Sequence, residues 1–159
     1  MSASVDAEDR PKTFFHPPSL MMGAVAVGFA MRLVWGGFMP LPRAVGEGAG
    51  IVLALGGVSL LTQSIRFFLE HGETLRPDTP STALLRAGPF ARSRNPIYVA
   101  MALIGAGLGF ATLNVFILAT TAIAVALLHF FVILPEEAYL ERRFGAEYVA
   151  YKTSVRRWI

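Results

Sequence analysis

The chain has 159 residues, of which 54% are hydrophobic and only 16% charged, with a mean hydropathy of +0.54. That composition excludes an ordinary soluble domain and fits a single membrane domain over residues 1–159. The absence of cysteine excludes a disulfide framework, a thiolate zinc site and a cysteine nucleophile. A net charge of +3 is too modest to signal nucleic acid as a partner.

Residues 1–19 mix acids with bases and lead into no cleavable signal pattern, so they read as a tail before a retained membrane helix. A spanning helix needs about 20 mostly apolar residues. The first candidate runs from Leu20 to Met39, with Pro17 and Pro18 before it and Pro40 and Pro42 after it. The second runs from Gly48 to Leu69, which makes residues 20–69 a first helical hairpin. Residues 70–96 form a polar loop containing Arg76, Asp78, Arg86, Arg92 and Arg94. The next apolar block, residues 97–134, is too long for one span. Thr112 and Asn114 near its middle predict a tight hairpin, with a short first arm from Ile97 to Ala111 and a second from Val115 to Leu134. In residues 135–159, Leu140, Phe144, Tyr148 and Tyr151 recur every three or four positions among Glu and Arg. That spacing predicts an amphipathic helix at the membrane surface, weakened at Gly145. The expected fold is all-α: a polytopic membrane bundle of about four transmembrane helices plus this C-terminal interfacial helix.

Orientation follows from lysine and arginine placement. The tail carries five: Arg142, Arg143, Lys152, Arg156 and Arg157. The loop after the second helix carries four, the N-terminal tail two (Arg10 and Lys12), the first hairpin loop one (Arg43) and the last turn none. Four helices with both termini cytoplasmic satisfy these counts and put the polar loop and the basic tail on one side. Glycines within the helices suit close packing, although Gly105, Gly107 and Gly109 alternate and so do not share one face.

Chemistry concentrates in two places. In residues 86–98, Gly88 and Pro89 make a turn, Asn95 reads as a helix N-cap and Pro96 suits the first turn. A helix N-terminus beside arginines can hold an anion; it can equally be a capped, positively charged loop. Glu136 and Glu137 close the last apolar helix, where unpaired carboxylates are costly. Being adjacent they do not share a face, so one can face a cation or sugar hydroxyls and the other Arg142, Arg143 or water; or both simply favour the start of the tail helix. Arg32, inside the first apolar segment, is a candidate for holding a lipid phosphate or pairing with a carboxylate. Arg66 reads as snorkelling from the end of the second helix. His16, His71 and His129 are too scattered for a metal site, and no metal is expected.

The succession Gly88-Pro89-Phe90, Arg94-Asn95-Pro96-Ile97-Tyr98, a hydrophobic hairpin, Glu136-Glu137-Ala138-Tyr139-Leu140, Phe144-Gly145, Tyr148 and Tyr151 resembles the isoprenylcysteine carboxyl methyltransferase and phospholipid methyltransferase superfamily of integral membrane enzymes. The stretch from Gly72 to Pro80, with Thr74 and Pro77, is similar to the region preceding the core motif. The resemblance covers roughly residues 66–159. It implies methyl transfer from S-adenosylmethionine, with S-adenosylhomocysteine as product, to a lipid or lipidated acceptor at the cytoplasmic face of a bacterial inner membrane. By position it implies that Gly88, Arg94, Asn95, Pro96, Tyr98, Glu136, Glu137, Tyr148 and Tyr151 surround the cofactor; Arg94 and Glu137 are candidates for the reaction itself, and Arg32, outside the resemblance, is a third because it is a charge within an apolar segment. Family members often carry His where this chain has Asn95, and Gly where it has Ala100. Asparagine can orient a group but cannot shuttle protons, which leaves a carboxylate and an amine both open as acceptors. An NADPH-dependent membrane reductase of sterol type and a non-catalytic subunit or transporter are the competing readings.

Overall fold

A computed structural model describes residues 15–72 and 83–159; Thr74, Pro77 and the rest of residues 73–82 lie outside the described residues. Among the described residues six α-helices occur in chain order: α1 (Pro17–Trp35), α2 (Arg43–Glu70), α3 (Pro96–Ala111), α4 (Val115–Leu128), α5 (Leu134–Phe144) and α6 (Ala146–Ser154). Among the described residues there is no strand, only an isolated bridge between Phe38 and Asn114.

Among the described residues three stretches are long and apolar enough to cross a membrane: α1, α2 and the continuous helix Val115–Phe144. With 16 residues, α3 spans about 24 Å at 1.5 Å per residue, short of a hydrocarbon core of about 30 Å. Four membrane helices therefore include one short member. α2 packs on α3, α3 on α4 and α4 on α1. Large apolar side chains such as Val27, Leu33, Val52, Leu55 and Ile123 stay exposed on the outer surface, as lipid-facing side chains do.

Small residues set the spacing between helices. A Cβ on Gly50 would lie 2.3 Å from the backbone nitrogen of Ala111, and one on Gly107 would lie 2.7 Å from that of Ala54. The alternating glycines of α3 divide between two neighbours: Gly107 meets α2, whereas Gly105 and Gly109 meet Thr121 and Leu118 of α4. Close backbone approach gains dispersion contacts that the hydrophobic effect cannot supply within lipid.

The two hairpin turns meet at one end of the bundle. Asn114, fully buried, caps α4 by accepting from the N–H groups of Phe116 and Ile117. It also donates to the Gly28 carbonyl of α1 at 3.2 Å. Arg32, in the last turn of α1, donates to the Thr112 carbonyl just past α3 and lies 4.0 Å over the Phe38 ring. Its charge thus stands at the negative ends of two helix dipoles.

The C-terminal part differs from the expectation of a separate surface helix beginning at residue 135. A π turn, His129–Ile133, joins α4 directly to α5. Pro135 has no N–H to donate and its ring crowds the preceding turn. The wider turn, closed by the Leu134 N–H on the His129 carbonyl, takes up that misfit without ending the helix. The break falls later, at Gly145, whose φ of 53° favours glycine. α6 then folds back along the segment preceding α3.

Candidate functional site

At the end opposite Arg32, two distant stretches assemble one cleft. The first is residues 83–95, which ends at α3; its short 3-10 turn Gly88–Ala91 seats Phe90 against Phe67 and Phe68 of α2, at ring separations of 6.1 and 6.2 Å. The second is the C-terminal stretch from Glu136 to Arg157. Contacts that join them include the Tyr151 hydroxyl donating to the Phe90 carbonyl at 2.7 Å, Arg86 paired with Glu147 at 2.7 Å, the Arg94 N–H donating to the Arg156 carbonyl at 3.0 Å, and Asn95 Nδ2 donating to the Arg157 carbonyl at 3.0 Å.

The cleft between them opens to solvent and holds a volume of about 80 Å³. Arg94, Asn95, Glu136, Glu137, Tyr148 and Tyr151 form its polar and aromatic wall, and Phe68, Leu84, Leu85, Phe90 and Leu140 its apolar wall.

Glu136 and Glu137 have different partners, as expected of neighbours on a helix. Glu137, 6% exposed, takes Arg157 bidentately, with Nε on Oε1 at 3.0 Å and Nη2 on Oε2 at 2.8 Å. Arg94 reaches the same carboxylate through Nη2 alone, at 3.2 Å. Nε and Nη1 of Arg94 are buried and have no hydrogen-bond partner among the described residues. Glu136 accepts instead from the Tyr98 hydroxyl at 3.0 Å.

Two of the tyrosines lie in α6. Tyr148, 1% exposed, has its hydroxyl pushed well up by burial and then by the Glu137 charge. Burial pushes Tyr151 up to about 12, with the Arg94 charge opposing it. Both therefore stay neutral through the ordinary pH range. The hydrogen bond to Glu137 holds the Arg157 guanidinium above its usual value.

Arg94, Asn95, Glu136, Glu137, Tyr148 and Tyr151 come together in the cleft. Tyr98 adjoins it through Glu136. Gly88 and Pro96 serve the frame: a Cβ on Gly88, whose φ is +58°, would press into the Phe67 ring at 2.8 Å, and Pro96 is the first residue of α3. Asn95 occupies the N-cap position, but its side chain caps nothing; it holds the tail instead. Arg32 does not join this group, since it sits beyond the far end of α3. Arg66 is exposed near the C-terminal end of α2, just before its last turn. Arg157 is the site residue that sequence reasoning missed. It is one of five basic tail residues, and no spacing marks it out from Arg156.

The phospholipid methyltransferase family model matches residues 47–147, more than half of the chain. The chain belongs to that family of membrane methyltransferases. No curated protein and no solved structure matches it.

Proposed function

We propose that this protein transfers a methyl group from S-adenosylmethionine to a lipid headgroup at the membrane surface, in the cleft between residues 83–95 and the C-terminal stretch. The observation that carries this reading is Arg94. Two of its N–H-bearing nitrogens are buried on the cleft wall without a partner, an arrangement that is costly unless an acceptor arrives. The methionine carboxylate of the cofactor is such an acceptor, and a charge-assisted bond from Nε or Nη1 suits it. The aromatic and aliphatic wall suits the adenine, so the residues present fit the group.

S-adenosylmethionine supplies an electrophilic methyl on a sulfonium. The protein's part is then to bind, orient and exclude water. Arg94 and the start of α3 hold the anionic end. Tyr148 and Tyr151, neutral at working pH, pack without adding charge. A lipid acceptor reaches the cleft sideways from the bilayer, and exposed Arg66, at the same end of the bundle, is placed to hold its phosphate. Holding the acceptor against the methyl group provides much of the acceleration. If the acceptor is an amine it must lose a proton; Glu136, whose described partner is the neutral Tyr98 hydroxyl, is placed to receive it. The basic residues on this side support a cytoplasmic placement of the cleft, with both termini on that face of an inner membrane.

The test is incubation of the protein, in lipid, with methyl-labelled S-adenosylmethionine and a lipid extract. Label entering the organic phase is the expected result. Alkali then separates the acceptors: a methyl ester releases methanol, whereas a methylated amine keeps its label. Label confined to the aqueous phase, with no affinity for S-adenosylhomocysteine, would overturn the reading.

A further inference from the structure

Arg157 lies ten residues beyond the end of the stretch matched at 47–147, yet it makes the closest contacts to the central carboxylate. Its Nε and Nη2 take both oxygens of Glu137 at 3.0 and 2.8 Å. A buried carboxylate facing one arginine is ordinarily taken by that arginine's whole fork. Here the fork position on Glu137 is filled from the tail, and Arg94 is left with a single contact at 3.2 Å. Its other two nitrogens therefore remain uncommitted. Two guanidiniums sharing one carboxylate also leave one positive charge in the group, in surroundings where Arg94 and Glu137 side chains are each 8% exposed.

The tail is fixed where this requires it. The Arg157 carbonyl accepts from Asn95 Nδ2 at 3.0 Å and from Ser93 Oγ at 3.4 Å. The Arg156 carbonyl accepts from the Arg94 N–H. Trp158 stacks on His129 at 6.1 Å and 26°, holding the other side of the strap against the π turn. Every residue from 93 to 95 thus binds residue 156 or 157.

We propose that Arg157 is a positioning residue: by occupying both oxygens of Glu137 it keeps Nε and Nη1 of Arg94 free for the carboxylate of the bound nucleoside. This rests on the methyl-transfer reading above. Without Arg157, Glu137 and Arg94 close on each other and the anion subsite is lost, while the nucleoside wall stays as it is.

The experiment compares two ligands by calorimetry on the purified full-length protein in lipid nanodiscs. S-adenosylhomocysteine carries the amino-acid carboxylate; 5′-methylthioadenosine keeps the nucleoside thioether and lacks it. The Arg157→Gln variant loses about tenfold in affinity for S-adenosylhomocysteine, the equivalent of one charge-assisted contact, and holds its affinity for 5′-methylthioadenosine within about twofold. Arg157→Lys, which keeps the charge but not the fork, shows the same selective loss in smaller measure and serves if the glutamine variant fails to fold. Equal losses for both ligands would make Arg157 a mere tail anchor, and an unchanged affinity for S-adenosylhomocysteine would equally overturn the proposal. Wild-type protein binding neither ligand would instead bring down the methyl-transfer reading itself.

Discussion

The Tyr98 hydroxyl donates to Glu136 at 3.0 Å, joining the first turn of α3 to the first turn of α5. The next carboxylate along, Glu137, pairs with two guanidiniums. The pair should therefore respond unequally to substitution. Glu136→Gln retains a carbonyl that can accept from Tyr98 and costs about 1 kcal/mol or less. Glu137→Gln leaves Arg94 and Arg157 without a counter-charge and costs about 3 kcal/mol. Denaturant unfolding of both variants in the same detergent measures the difference; equal losses would mean that the two carboxylates do not divide the work as the geometry indicates.

Alkaline stability should report on Tyr151. Its folded value, about 12, lies above the ordinary 10.0, so the folded state holds the phenolic proton more tightly than the unfolded chain. The contribution of this group is complete below pH 10.0 and is lost as pH rises towards about 12. Tyr151→Phe removes both the bond to the Phe90 carbonyl and this titration. The variant starts about 1 kcal/mol less stable and declines less steeply across that window. A parallel decline in variant and wild type would show that Tyr151 ionises normally.

Much of this architecture could be read from apolar runs, because a membrane helix is dictated by length and composition. The hairpin at Thr112 and Asn114, the short arm from residue 97 and the division of labour between Glu136 and Glu137 all follow from local rules. What could not be read depends on tertiary partners. The apolar run predicts that the second arm ends at Leu134, and the π turn before Pro135 lets the fourth helix run on to Phe144. Asn95 looks like a cap, but its side chain makes no capping bond and its Nδ2 donates to the Arg157 carbonyl instead. Arg157 and Arg156 are indistinguishable until the tail folds back, at which point one contributes its side chain and the other only its carbonyl.

Arg32 provides a control for the location of the site. Its partners, the Thr112 carbonyl and the Phe38 ring, lie at the turn end of the bundle. Arg32→Gln should lower the unfolding temperature while leaving affinity for S-adenosylhomocysteine within about twofold of wild type. A loss of about tenfold or more would bring Arg32 back into the binding machinery.

Asn114 ties α1 to α4 and caps α4 at once. Asn114→Ala leaves the Gly28 carbonyl and two helix N–H groups without that partner, at a cost of about 2 kcal/mol. Thermal unfolding in detergent measures the loss, and methyl transfer at low temperature by the folded fraction should match wild type. A stability within about 0.5 kcal/mol of wild type would show that this link contributes little.

The central claim is that the cleft beside Arg94 receives the carboxylate end of the cofactor. Calorimetric titration of S-adenosylhomocysteine into wild-type protein and the Arg94→Gln variant tests it most directly. Saturable one-site binding to wild type and a loss of about tenfold or more in the variant is the predicted result. Equal affinity in the two proteins would contradict it.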